Sequence, residues 1–356
     1  MKKQRLERVI RNMESQGLHQ LIVSDPQSIY YLTGIGYDPG ERLLALYLND
    51  KGEAHLFNNQ MFPQEPQEGL SIHLYSDSDD CVAPIADVVS AGTLGVDKFW
   101  NAKFMLPLME KRPDLRLCLG SRPVDEARRL KDAEELELMR KASLANDATM
   151  GEVIHRLSEG FTERQMVGIV GETHVKYGAD AATDQLVCYG VGCSESHHCS
   201  GSAKVAPGDS VIFDIFTPVN RYWCDMTRTV FYKSVSDEQR RVYETVRAAN
   251  LAGIAAVRPG VPMKEIDAAA RKVIEDAGYG QYFTHRTGHG IGLSCHEPPD
   301  CSGVSEAIAE PGMCFSIEPG IYLPGKFGVR IEDLVTVTED GVEVLNHFTK
   351  DLQVVD

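Results

Sequence analysis

Two aspartates, Asp214 and Asp225, interrupt an otherwise apolar, strand-like pattern. Ser210-Val211-Ile212-Phe213 leads into Asp214, and Met226-Thr227-Arg228-Thr229-Val230-Phe231-Tyr232 follows Asp225. Pro218 and Asn220 are turn formers, so the segment reads as two antiparallel strands joined by a short loop. A turn centred at Val219-Asn220 sets Asp214 directly opposite Asp225. Residues paired that way have Cβ atoms ~5 Å apart, and like charges there repel. The pattern calls for a cation between the carboxylates, or for a shared proton.

A repeat favours the cation. Gly160 to Gly178 and Gly260 to Gly278 bracket helical stretches of equal length, 100 residues apart. Pro207-Gly208 follows the first and Pro311-Gly312 the second; Asp214 and Glu318 each lie six residues past the glycine. The strand ending at Glu318 returns as Val329-Arg330-Ile331-Glu332-Asp333. A turn centred at Gly325 sets Glu318 opposite Glu332. Two helix–hairpin halves thus bring four carboxylates towards one centre, where burial requires pairing or metal ions. Asp and Glu oxygens suit hard or borderline divalent ions. The run Thr287-Gly288-His289-Gly290-Ile291-Gly292 adds an imidazole, its glycines permitting close backbone approach. Two ions sharing carboxylates would activate a water and polarise a carbonyl, which is hydrolytic chemistry.

The elements that must position these residues follow from the rest of the chain. Its 356 residues suffice for two domains. Hydrophobic content of 43% and charged content of 25% are those of a soluble globular protein. A net charge of -16 and a pI near 5.2 argue against nucleic acid or an anionic membrane as partner. No signal-peptide core or bilayer-length apolar run is present, so a cytoplasmic location is expected. Nine scattered cysteines without a C-x-x-C fit a reducing compartment. The cluster from Cys193 to Cys199 matches no standard zinc spacing. Strands and helices alternate over roughly the first 120 residues, which predicts a small α/β domain. We expect domains at 1–122 and 133–356 with a linker at 123–132. Asp132 and Glu135 form a capping-box helix start at the second.

The second domain resembles the pita-bread metallopeptidases, specifically the Xaa-Pro peptidases prolidase and aminopeptidase P. The matching motifs are Asp214 through Asp225-Met226-Thr227-Arg228-Thr229; Gly288-His289-Gly290-Ile291-Gly292-Leu293 with His296-Glu297-Pro298; Ile317-Glu318-Pro319-Gly320-Ile321-Tyr322; and Val329-Arg330-Ile331-Glu332-Asp333. Tyr30-Tyr31-Leu32-Thr33-Gly34 is similar to the creatinase/prolidase N-terminal domain. The resemblance implies a fold of α/β and α+β character: a small N-terminal α/β domain, then a pseudo-symmetric pita-bread catalytic domain. It implies that Asp214, Asp225, His289, Glu318 and Glu332 hold two divalent ions, Mn2+ first, with Co2+, Zn2+ or Fe2+ as alternatives. Asp225 and Glu332 would bridge them. Glu318 would move protons, and His296 would steady the developing negative charge. A further His is implied before the first hairpin; spacing favours His197, with His198 the alternative. Thr227 and Arg330 would orient ligating carboxylates, and Tyr222 would reach the substrate. The implied activity is Xaa-Pro dipeptide hydrolysis. Cleavage of longer peptides is the alternative, and a non-peptidase amidinohydrolase or peptide-binding relative the third reading. A homodimer is also implied, in which Tyr37, Asp38 and Arg42 of a first-domain loop read the substrate's amino end. Phe216 and Cys224 depart from the family pattern without removing a ligand. Cys224, Cys295 and Cys314, all near expected ligands, predict sensitivity to thiol oxidation or soft metals.

Overall fold

Alternating apolar runs in the first third of the chain pair into one six-stranded sheet. The computed structural model describes residues 1–356, which divide into the units Met1–Arg128 and Arg129–Asp356. In the first unit the strand order is Ser71–Tyr75, Ala54–Asn59, Ala45–Asn49, Gln20–Val23, Gly92–Val96, Leu115–Leu119. The Asn49 to Gly52 turn joins Ala45–Asn49 to its antiparallel neighbour Ala54–Asn59, with Gly52 at φ +84°. Two elements escape sequence reading. Pro107 masks the helix Ala102–Lys111, and Leu115–Leu119 is a largely exposed edge strand. Ile22, Tyr47, Phe57 and Trp100 are buried in the core of this unit. Residues 123–132, expected as a linker, are largely helical. Arg122–Arg129 forms a helix whose Val124, Ala127 and Arg128 are buried. Arg128 pairs with Asp25 at 2.7 Å, which anchors the segment instead of leaving it free.

The second unit is built from the repeat. Glu163–Lys176 and Met263–Asp276 are helices of 14 residues each, at the expected offset. Gly160, Gly178, Gly260 and Gly278 all take positive φ and end turns at the same places. A longer helix precedes each: Ala133–Val153 and Asp237–Ala256, both opened by complete capping boxes. Each long helix is tied to its hairpin by one buried asparagine. Asn146 donates to Ile215 O at 2.9 Å, and Asn250 donates to Ile317 O at 2.8 Å.

The first hairpin, Ser210–Val219 with Tyr222–Tyr232, turns one residue later than expected. Asn220 and Arg221 both have positive φ (49° and 72°), forming the two-residue turn whose twist suits antiparallel strands. Val219 therefore pairs with Tyr222, Asp214 with Thr227 and Phe216 with Asp225. Asp214 and Asp225 are diagonal neighbours on one face, not direct partners. The second hairpin keeps the expected register. Ile317 pairs with Asp333 and Gly320 with Arg330, so both ladders are centred on Gly325. Glu318 and Glu332 face each other in the gap between those ladders. There the chain leaves the five-stranded sheet Glu297–Cys301, Gly288–Gly290, Cys314–Ile317, Asp333–Val337, Val342–Val344 for the two-stranded Gly320–Leu323 and Phe327–Arg330.

Gly288–Gly290 is wedged inside that five-stranded sheet. A Cβ on Gly288 would lie 1.8 Å from Ser316 O, and one on Gly290 2.5 Å from Glu297 O. Both obstacles are backbone, which cannot rotate away. Gly288→Ala is expected to destabilise the protein by about 3 kcal/mol or more, since overpacking against backbone leaves no cheap relaxation. Thermal melting checks this; a shift of less than ~1 kcal/mol would contradict the packing described.

Candidate metal centre

Strand alternation gathers the acidic side chains. Asp214, Phe216, Asp225 and Thr227 share one face of the first hairpin by their pairing. Freed from the ladder at the gap, the Glu318 N–H bonds Thr287 O at 2.7 Å, and the Glu332 N–H bonds Thr227 O at 3.1 Å. The first bond joins Glu318 to the segment carrying His289; the second joins Glu332 to the strand carrying Asp225. One oxygen or nitrogen from each of Asp225, His289 and Glu332 lies within 4.8 Å of the others. His289 Nε2 is 3.8 Å from Asp225 Oδ2 and 3.6 Å from Glu318 Oε1. His289 Nδ1 is 3.1 Å from Gly290 O, a group that only accepts. Nδ1 is thus assigned the proton, leaving the Nε2 lone pair facing the carboxylates.

A polar scaffold holds the acids. Arg330 Nη2 donates to Asp214 Oδ2 at 2.6 Å, and Arg330 Nε donates to Thr227 Oγ1 at 3.1 Å. Thr227 in turn donates to Glu332 Oε2 at 2.7 Å. Ser316 donates to Glu318 Oε1 at 3.2 Å. Asp225 Oδ1 and Glu332 Oε1 are left buried without any partner. Buried polar atoms are paired in the great majority of cases, so two such orphans on neighbouring acids need an explanation. A divalent cation supplies it, and the donor set of carboxylate oxygens plus one imidazole nitrogen fits such an ion. Burial, then the neighbouring acids, pushes the Asp225 and Glu332 carboxyls well above their usual range; burial also raises Glu318. Burial lowers His289 to about 4.

The centre opens on a cavity of about 510 Å³. His296 lines it with its ring centroid 4.2 Å from that of His289, and burial lowers its pKa to about 4. His197 and His198 both line the wall. The His198 ring is held by Glu163 at 3.2 Å, whereas His197 is exposed and lies near enough to lower His296 further.

The expectation for Tyr222 needs correction. Tyr222 does not face the cavity. It stands an odd number of residues from Asp225, so alternation turns it to the opposite face, where its hydroxyl donates to Glu135 at 2.8 Å. Tyr37, Asp38 and Arg42 belong to the first unit. Tyr37 stacks on Phe62 and donates to Asn58, Asp38 accepts from Gly40 N, and Arg42 forks onto Asp77. The expected thiol reactivity is not supported either. Burial raises Cys224, Cys295 and Cys314, disfavouring the reactive thiolate. Sequence reading missed Tyr322 and His285. Tyr322 Oη accepts from Arg330 at 2.8 Å and lies 2.9 Å from His285 Nε2, completing the support beneath Asp214. Strand alternation from Arg330 across Gly320 gives the signal for Tyr322.

Comparison with known proteins agrees with this geometry. Residues 137–339 match metallopeptidase family M24, and residues 5–130 match the creatinase/prolidase N-terminal domain. An uncharacterized peptidase of Staphylococcus aureus is 32% identical over 355 residues, covering 97% of this chain and 99% of that one. A dipeptidase from Pyrococcus horikoshii superposes with a TM-score of 0.93 at 30% identity, covering 99% of this chain and 100% of that one. A prolidase from Thermococcus sibiricus gives 0.92 at 31%, covering 100% and 99%.

The raised carboxylates make stability depend on pH in a defined direction. In chelated protein they hold protons when folded that they would release, above about pH 4, when unfolded. Their contribution is full at low pH and is lost as pH rises through the elevated folded values. His289 and His296, lowered to about 4, act in the opposite sense below about pH 6.5, so the melting temperature of chelated protein is expected to fall from pH 7 to pH 9. Added divalent ion displaces those protons, so it should raise melting more at pH 8 than at pH 5. Equal gains at both would contradict this reading.

Proposed function

The chain belongs to metallopeptidase family M24, and from that premise we propose that it hydrolyses the peptide bond before proline in Xaa-Pro dipeptides. The observation that carries the hydrolytic part is the pair of partnerless buried oxygens, Asp225 Oδ1 and Glu332 Oε1, inside a ring of acids. The likeness to a prolidase over nearly all of both chains supports the proline part.

In this reading Asp214, Asp225, His289, Glu318 and Glu332 would hold two divalent ions. Four ionised carboxylates carry four negative charges, which two such ions balance. The oxygen-rich set with one imidazole suits Mn2+ first. When bound, the ions supply Lewis acidity: a water of lowered pKa and a polarised carbonyl. Glu318, with one oxygen held by Ser316, would take a proton from the attacking water and pass it to the leaving prolyl nitrogen. His296, neutral because of its low pKa, would donate a hydrogen bond to the oxyanion of the tetrahedral intermediate. His197 would guide the substrate from the facing wall. Arg330 and Thr227 would keep Asp214 and Glu332 aimed. An Xaa-Pro bond has no N–H to satisfy, and the apolar wall of Val167, Leu186 and Phe216 suits the pyrrolidine ring. A homodimer belongs to the same reading, with Tyr37, Asp38 and Arg42 of one subunit bordering the other's site.

Cleavage of longer peptides is the second reading. A groove of about 380 Å³ shares Ser196 and His197 with the cavity and could take further residues.

Chelation is expected to abolish cleavage of Met-Pro, and Mn2+ to restore it as two ions bind per chain. Metal analysis alongside the assay checks this; binding of no ion to the Mn2+-supplied protein would sink the proposal. Glu332→Gln should lower kcat/KM by about 10³-fold or more, roughly 4 kcal/mol of transition-state stabilisation. Thr227→Val keeps the shape but removes the bond to Glu332. It is expected to weaken metal affinity about 10- to 100-fold, read by titration. Comparing Met-Pro with a longer Met-Pro peptide separates the two readings.

A further inference from the structure

Glu163 opens the helix Glu163–Lys176 and is only 1% exposed, yet no lysine or arginine pairs with it. Three donors hold its carboxylate instead. The Tyr189 N–H donates to Oε1 at 2.8 Å, and the Gly201 N–H donates to Oε2 at 2.8 Å. His198 Nε2 lies 3.2 Å from the same Oε2. Two backbone bonds run beside these: Glu163 N to Ala203 O and Arg164 N to Gly201 O, both 3.0 Å. They satisfy N–H groups of the first helical turn, which have no partner within the helix.

Tyr189 and Gly201 are the two ends of one segment. It leaves the strand Leu186–Tyr189, carries His197 and His198, and comes back to the helix at Gly201. One buried carboxylate thus closes residues 190–200 into a loop. A carboxylate only accepts, and at two oxygens, which suits two N–H groups and a ring nitrogen. A glutamine of the same size would turn its own NH2 towards one of those donors. His197 lines the cavity with its side chain exposed, so its place comes from the backbone that carries it. The residues on either side of it are both gripped. Arg330 Nη1 donates to Ser196 O at 3.1 Å, and Glu163 holds the His198 ring. Arg330 also bonds Asp214, so one grip comes from the metal centre and the other from Glu163.

We propose that Glu163 is a positioning residue for substrate binding: its carboxylate closes the loop of residues 190–200 and thereby sets His197 at the cavity wall. This rests on the peptidase reading above, in which His197 guides the substrate. Glu163 does not itself line the cavity, so it acts through the loop.

Kinetics of the metal-loaded full chain on Met-Pro test it, with Glu163→Gln, His197→Ala and the double variant. Glu163→Gln is expected to lower kcat/KM about tenfold, the range for losing a hydrogen bond to a charged group. The loss should fall on KM, with kcat and bound metal kept. The double variant should be no slower than His197→Ala, because both changes act through one ring. Losses that multiply overturn the proposal, as does a loss carried by kcat. Hydrogen exchange reads the loop without the reaction. Over residues 189–201 it should quicken about tenfold in Glu163→Gln, with the strands Ser210–Val219 and Tyr222–Tyr232 as in wild type. Unchanged exchange in that segment overturns the proposal; so does equal quickening throughout the second unit. Glu163→Asp, whose carboxylate reaches less far, takes the place of Glu163→Gln if the latter does not melt cooperatively. Wild type inactive on Met-Pro removes the Xaa-Pro reading, while the exchange comparison still decides the role of Glu163.

Discussion

Mutual repulsion among desolvated carboxylates is the constraint on which the second unit depends. Charge at Asp225 and Glu332 is opposed both by burial and by the other acids nearby. A fold can keep such groups together only by holding their backbones firmly and leaving room for opposite charge. Both devices are present. Each long helix is tied to its hairpin by an asparagine, and Arg330 bonds Asp214 and Thr227 at once. The two oxygens left unpaired mark where the remaining positive charge belongs.

The gap in the second hairpin is the local solution. A continuous ladder would satisfy Glu318 and Glu332 through each other's backbone. Instead the chain breaks at Pro319, which has no N–H to give to a ladder. The freed N–H groups of Glu318 and Glu332 turn to Thr287 and Thr227. Those two bonds fasten the second hairpin to the His289 segment on one side and to the first hairpin on the other. The side chains of the centre then approach from three strands and from the gap itself, which no single ladder could arrange.

Much of this was legible in sequence because it rests on period and spacing. The 100-residue repeat, the glycine brackets, the Gly325-centred register and the Gly-His-Gly run are all visible as intervals. The first hairpin register was not, because it depends on Asn220 and Arg221 both taking positive φ. Arg gives little warning of that. Tyr222 was misplaced by proximity in sequence, where alternation decides the face. Tyr322 and His285 act through side-chain bonds to Arg330, which spacing does not reveal. The helix Arg122–Arg129 hid behind a charged sequence whose apolar positions are few.

The bond from Glu332 N to Thr227 O, with the Thr229 hydroxyl bonded to Arg330 O, is a seam between the two halves of the repeat. Neither half owns a finished centre: His289, Glu318 and Glu332 come from one, Asp214 and Asp225 from the other. An ion gripped from both sides is then a rivet across that seam. Occupancy and cohesion become a single property, so the duplicated halves must melt in concert when loaded and are freer to part when bare.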